Sequence, residues 1–467
     1  MWRNVTANLS DLLFSVAEAM DMSDVSLADH QLRTAFVAGQ MAEAARFEYM
    51  QMERIFVAAL LHDIGALSPE EKVSAHIYED LLPEPHCQRG AKLYREAFWL
   101  APSAQMVEWH HTPMLEHELQ GRSLAQPDVL GAQIIFLADH LERFIRRDVY
   151  ILHQVDALER KVRALAGKQV HEEVVALFDQ VCHGEDFWLE LVAKNLSQEM
   201  REHSLLRAIT VDFETARSIA GVFKDMTDFR SRFTATHSAG VAASARAIGQ
   251  ALSFTGKDLQ QIYLAGLMHD MGKLVVPNAI LCKPGNLTVA EYEVVRQHSY
   301  YTLRTLARVR GFEQIAEWAG FHHERLNGTG YGRHLSSSEL DLGAKVVAVA
   351  DVATAIAENR PYRLGGDKDK VLSELGRMAE KGQLEPMIVH VLGDHYDSIM
   401  STAAHAQAED EARYRERYAL IQSEHLDAPH HVAAGMNFRG LANPRFPRSA
   451  SEPADSVYKP APPTFCS

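Results

Sequence analysis

The sequence predicts an all-α protein of two tandem helical domains followed by a disordered tail. Three observations carry that expectation. Alanine, leucine, glutamate and arginine recur in amphipathic spacing with few clusters of β-branched residues, a pattern that favours helices over strands. A set of histidines and aspartates recurs at a nearly fixed offset, so the chain reads as an internal duplication. From His425 onward, proline, serine and alanine replace the apolar residues a core needs, with Pro444, Pro447, Pro453, Pro460, Pro462 and Pro463 in that stretch.

At 467 residues the chain exceeds what one core holds, since single cores stop growing near ~250 residues. Its 47% hydrophobic and 23% charged residues give a globular balance and exclude wholesale disorder. Moving His30, His62, Asp63 and Gly65 forward by 207 positions lands on His237, His269, Asp270 and Gly272. Moving His86, His110, His111 and Asp139 forward by 212 lands on His298, His322, His323 and Asp351. The small difference in offset falls between the two blocks, where a loop insertion is cheap. The expected domains are residues 1–200 and 208–424, joined by a helix, with a disordered tail over 425–467 that contains His430 and His431. Within the second copy, His237 to Leu252 reads as an amphipathic helix and Leu259 to Met268, apolar on most faces, as a core helix.

Several classes of function are excluded. The best apolar run, Ile55 to Leu61, is far short of the ~20 residues that cross a bilayer. The start of the chain lacks the charged and apolar regions of a secretory signal, so a cytoplasmic address without membrane partners is expected. A net charge of −15 argues against long nucleic acid as a ligand. A small anion remains open, because bound cations supply local positive charge even in an acidic protein. Cys87, Cys182, Cys282 and Cys466 are scattered, so neither a disulfide framework nor a cysteine zinc site is expected.

The repeated residues are the types that bind metals. His269 and Asp270 end an apolar helix, and adjacent helical residues point about 100° apart, so one can serve one ion while its neighbour turns toward a second. The same reasoning applies to His322 and His323. With His237, His298 and Asp351, the second copy offers five imidazoles and two carboxylates, enough for two divalent ions with positions open for water and substrate. Nitrogen and oxygen donors with no thiolate suit iron, manganese, nickel or zinc, and spacing alone does not choose among them. Two ions ~3.5–4 Å apart acidify a shared water and clamp a phosphoryl group. Lys273, three residues beyond Asp270, would share its helical face and meet a phosphate if the helix continues. His269, Asp270 and Lys273 are therefore the expected catalytic group.

The string from His269 to Lys273, followed by Lys283, Pro284, Gly285, Leu287, Thr288, Glu291 and His298, resembles the HD-GYP family of HD-superfamily metal-dependent phosphohydrolases. So do His322, His323, Glu324, Arg325, Gly328, Gly330 and Tyr331, and the closing segment Ala350, Asp351, Val352, Arg360, Pro361, Tyr362 and Arg363. The resemblance covers roughly residues 230–365. It implies an all-helical HD fold, a metal centre on the seven residues named above, and hydrolysis of cyclic di-GMP or 3',3'-cyclic GMP-AMP to linear dinucleotide or mononucleotides. It also implies that Lys273, Tyr331, Arg360 and Arg363 contact the substrate.

Departures from the family pattern bear on this reading. Gly332 replaces the usual proline and loosens the signature loop, Ser299 and Thr302 stand where proline and glycine are usual, and Phe233 replaces the glutamate of three-metal members, which favours two metals. The first copy keeps His30, His62, Asp63, His86, His110, His111 and Asp139, so it retains a possible metal site. Ala66 replaces Lys273 there, and Thr112 to Glu116 shows no glycine-tyrosine loop. That copy is expected to be a degenerate HD-like domain, or else a separate nucleotide phosphohydrolase. Two other readings of the whole stand beside the phosphodiesterase: a non-catalytic module that binds a cyclic dinucleotide or a diguanylate cyclase partner through the loop at Gly330 to Gly332, and a general nucleotide phosphohydrolase. Oligomeric state is open.

Overall fold

The computed structural model describes residues 5–22, 27–68, 71–73, 84–228, 236–283, 285–358 and 365–425. Short turns and a six-residue helix at Met114–Leu119 aside, the first copy is built from α1 (Leu9–Asp21), α2 (His30–Ala44), α3 (Tyr49–Leu60), α4 (Glu84–Glu96), α5 (Ala104–Trp109) and α6 (Pro127–Phe144). Four helices follow: α7 (Val155–Arg163), α8 (Glu172–Val181), α9 (Glu185–Leu191) and α10 (Leu196–His203). The second copy repeats the first six as α11 (Phe213–Asp228), α12 (His237–Ala251), α13 (Gly256–Met268), α14 (Val289–Leu306), α15 (Glu313–Gly320) and α16 (Leu342–Ala357). It closes with α17 (Lys368–Glu380), α18 (Pro386–Asp394) and α19 (Tyr396–His425). The all-α expectation holds. Among the described residues the only named strands are β1 (Thr6–Asn8) and β2 (Thr210–Asp212), paired antiparallel with Ala7 opposite Val211. No helix among the described residues is long and apolar enough to cross a membrane.

Local chemistry explains the helix ends nearest the clusters. A capping box of Thr255 and Asp258 starts α13, extending the expected helix upstream of Leu259. Thr288 and Glu291 form another at α14, and Lys283 Nζ donates to Glu291 Oε2 at 2.6 Å. These motif residues therefore fix the entry angle of the helix that carries His298. The histidine helices α2 and α12 are held differently. Asp21 accepts from the Gln31 amide at 3.1 Å, and Asp228, at the equivalent place 207 residues on, accepts from the Ser238 hydroxyl at 3.0 Å. Burial raises the Asp228 carboxyl to about 7.

One hydrophobic core runs through both copies. Helix α1 packs against its own copy and also against α14, while α11 reaches back to α4. A charge network of buried carboxylates and partly exposed arginines reinforces that exchange. Asp11 accepts from Arg310 Nε at 2.6 Å, and Glu18 pairs with Arg201 at 3.1 Å and with Arg308. The expected joining helix is corrected here: α10 ends at His203, and residues 205–208 form a turn in which Ser204 Oγ accepts from the Leu206 amide. A serine that bonds the backbone two residues on competes with helix continuation. Residues 426–467, with His430 and His431, lie outside the described residues.

Candidate metal centres

Each copy brings its seven ligand-type residues to one buried place. In the second, α13 ends at Met268, His269 caps it, and the chain tightens into a 3-10 turn over Met271–Val275. His269 and Asp270 thus diverge because the helix ends at Met268 and leaves them at its cap and the start of the turn, a correction to the expectation that both belong to it. The turn packs backbone to backbone on α14: a Cβ on Gly272 would lie 1.9 Å from the His298 carbonyl oxygen, and one on Gly65 would meet His86 at the same distance. Only glycine allows that approach, and it delivers the next histidine to the centre. Thr302 stitches the contact by accepting from the Gly272 amide and donating to the His269 carbonyl, both at 2.9 Å.

The imidazoles share one device. Nδ1 of His62, His110, His269, His298 and His322 donates to the carbonyl three residues earlier, at 2.9, 2.5, 2.8, 2.7 and 2.6 Å. That bond fixes the tautomer and turns the Nε2 lone pair inward. The first histidine of each copy uses a carboxylate instead, His237 Nδ1 meeting Glu358 Oε2 at 3.0 Å and His30 Nδ1 meeting Glu142 Oε2 at 2.7 Å.

What faces the middle of the second copy is a set of ring nitrogens and carboxylate oxygens. Nε2 of His298 and of His322 lie 3.4 Å apart, and Asp270 Oδ1 stands 3.6 Å from the first and 4.0 Å from the second. Asp270 Oδ2 is 3.2 Å from His269 Nε2, and Asp351 Oδ1 is 3.2 Å from His237 Nε2. Asp270 Oδ1 and Asp351 Oδ2 are buried with no hydrogen-bond partner among the described residues. Converging lone pairs and orphaned carboxylate oxygens repel one another unless a cation lies among them. The groups divide into His237, His269 and Asp351 on one side and His298, His322 and His323 on the other, with Asp270 between.

Protonation follows the same division. Burial disfavours charge on His237, yet Glu358 and Asp351 raise it to about 10. Burial pushes His298 down to about 4 and holds His322 and His323 well below the ordinary value. Asp270 stays ionised despite its burial because His269 and Lys273 stabilise the charge. Three neutral imidazoles and an ionised bridge are the forms in which these groups bind metals.

The remaining expected residues are placed as follows. Lys273 is buried, its Nζ 2.7 Å from Asp270 Oδ2, because three residues complete one 3-10 turn. Tyr331 lies over the centre with its ring 4.7 Å from that of His323, and Arg296 stacks on its outer face at 5.1 Å. Glu324 holds the loop by accepting from the Arg333 and Leu335 amides at 2.6 and 3.0 Å. Gly332 has φ +115°, which proline cannot adopt, so this loop follows its own backbone path. Arg360, Pro361, Tyr362, Arg363, Pro284 and Phe233 lie outside the described residues. Sequence reasoning missed Glu358 and Arg296. Glu358 was detectable in principle, lying seven residues from Asp351 and so near its helical face.

The first copy converges in the same way. His30 Nε2 is 3.3 Å from His62 Nε2 and from Asp63 Oδ2, and 3.4 Å from Asp139 Oδ1. Asp63 Oδ1 turns to the other side, 3.6 Å from His86 and 3.9 Å from His110. Cys87 joins His86, His110 and His111 there, which corrects the expectation that no cysteine belongs to a metal-type cluster. A cleft of about 720 Å³, lined in part by Trp109, His111, Arg122 and His140, opens beside this group. Arg143 stands 3.6 Å from Asp139 Oδ2, where the second copy has Ala355.

Comparison with known proteins agrees with two units. The HD domain family matches residues 27–143 and, through a second HD domain description, residues 221–388. The chain is 30% identical to 3'3'-cGAMP-specific phosphodiesterase 1 of Vibrio cholerae, over 82% of this chain and 91% of that protein. It is 32% identical to a cyclic di-GMP phosphodiesterase of Pseudomonas aeruginosa, over 50% of this chain and 54% of the relative. Among solved structures, a cyclic GMP-AMP specific phosphodiesterase of V. cholerae shares the fold with a TM-score of 0.58 at 23% identity, covering 84% of this chain and 98% of that one.

Proposed function

The chain belongs to the HD-GYP family of HD-domain phosphohydrolases, and from that premise we propose that residues 208–424 hydrolyse a phosphodiester bond of 3',3'-cyclic GMP-AMP. The observation that carries the reading is the buried cluster of ring nitrogens and carboxylate oxygens in the second copy, with Asp270 between two groups of donors that would each hold one ion. Preference for the mixed dinucleotide over cyclic di-GMP is supported by extent: the relative named for the mixed substrate matches across both copies, the other across about half the chain.

His237, His269, Asp270, His298, His322, His323 and Asp351 would hold two divalent ions, iron or manganese by their nitrogen and oxygen donors. When bound, such ions bind the phosphate and acidify water. The protein's own residues set the conditions for that chemistry. Backbone carbonyls fix the tautomers of His269, His298 and His322. Lys273 neutralises one oxygen of Asp270 and leaves the other for the centre, so it is a positioning residue in this reading. Tyr331 covers the His323 side of the centre, held between His323 and Arg296. Arg360 and Arg363 keep the substrate-contact role implied by the family.

The test is turnover by the full chain, replete with iron or manganese, of both cyclic dinucleotides, with His269→Ala as control. Faster cleavage of the mixed dinucleotide, lost in the variant, is expected. Tight binding without turnover, or preferential cleavage of mononucleotides, would overturn the reading.

A further inference from the structure

We propose that the first copy binds one zinc-class ion through His86, Cys87, His110 and His111, a thiolate-containing set with no equivalent in the second copy. One donor atom from each of these buried residues lies within 4.8 Å of the others. Cys87 Sγ is 3.6 Å from His86 Nε2. His110 donates through Nδ1 to the Val107 carbonyl, so its Nε2 points into the group, and there it has no hydrogen-bond partner among the described residues. The nearby Asp63 Oδ1, also buried, is likewise without one. A fully buried ring nitrogen aimed at a thiol and two further imidazoles is what a closed tetrahedral site presents before the ion arrives.

The offset between the copies sharpens the assignment. Cys87 aligns with Ser299, whose hydroxyl lies 3.4 Å from His298 Nε2. One atom, sulfur for oxygen, separates the two positions. Thiolate selects softer ions such as zinc, whereas the second copy keeps only nitrogen and carboxylate donors. The other half of the first copy is disfavoured as a cation site because the Arg143 guanidinium stands beside Asp139. Four protein donors complete the coordination of zinc and leave no place for an activated water, so this ion holds α4 to α5 and does no chemistry. Sequence spacing concealed the site, since Cys87 pairs with histidines and not with a second cysteine.

The experiment uses the full chain, stripped of metal and reconstituted with cobalt as a spectroscopic probe or with zinc. The expected result is a near-ultraviolet thiolate-to-cobalt charge-transfer band that disappears in Cys87→Ser and persists in Cys182→Ser and Cys282→Ser, with about one zinc per chain lost in Cys87→Ser alone. X-ray absorption at the zinc edge of the unmodified protein tests the point without any variant: one sulfur neighbour at about 2.3 Å supports it. Zinc with only nitrogen and oxygen neighbours, or a band indifferent to Cys87→Ser, overturns it. None of these readouts depends on turnover, so failure here and failure of the phosphodiesterase reading are separate results.

Discussion

The two copies agree in six helices, seven ligand-type residues, the paired helix-capping aspartates Asp21 and Asp228, and the close-packed glycines Gly65 and Gly272. They part at the positions that meet what lies next to those ligands. Lys273 braces Asp270 where the first copy has Ala66, Ser299 stands opposite Cys87, Ala355 opposite Arg143, and Tyr331 covers a centre whose counterpart opens on a cleft. Duplication has kept the buried polar framework, which is costly to dismantle piece by piece because each removal strands the remaining groups. Divergence has fallen on residues that decide which ion and which substrate the framework serves.

The widest separation between the copies is expected in turnover. His269→Ala or Asp270→Ala should lower kcat/KM for the cyclic dinucleotide by about 10³-fold or more, the several kcal/mol a metal contributes. His62→Ala and Asp63→Ala should leave the rate within a few-fold, as measured on the same substrate. Equal losses from both pairs would break the division of labour. A smaller contrast is expected one layer out. Glu358→Gln should weaken metal affinity by about 10- to 100-fold and be rescued by excess metal, while Glu142→Gln leaves turnover unchanged.

Two further variants sharpen the comparison through stability and loop geometry. Gly332→Pro restores the residue usual in the family but demands φ near −65° where the chain has +115°. It should cost about 1–3 kcal/mol of loop conformation and raise KM, because the loop exists in the second copy alone. Glu18→Gln weakens the network that ties α1 to the far copy through Arg308 and to α10 through Arg201. Since Arg308 is partly exposed, the loss should be about 1 kcal/mol in urea denaturation, with turnover retained. A change in substrate preference instead would show that the copies communicate through α1.

The ligand residues were legible because a duplication prints the same chemistry twice: His62 and Asp63 predict His269 and Asp270 at a constant offset, and helical periodicity marks the apolar frame around them. Lys273 was legible as a neighbour of Asp270 but not as its partner, since a helix and a 3-10 turn carry the same spacing to different ends. Gly332 read as a loosened loop, whereas its backbone angle makes it a requirement of a particular path.

The sequence by itself determined the all-helical class, the twofold repeat and the identities of the metal-type donors, because these depend on local periodicity and residue spacing. Tertiary packing alone decided that α1 crosses to the second copy and that Cys87 joins His110 and His111 beside His86. Those contacts join residues whose separation along the chain carries no period, and only the close approach of helices brings their atoms within bonding distance.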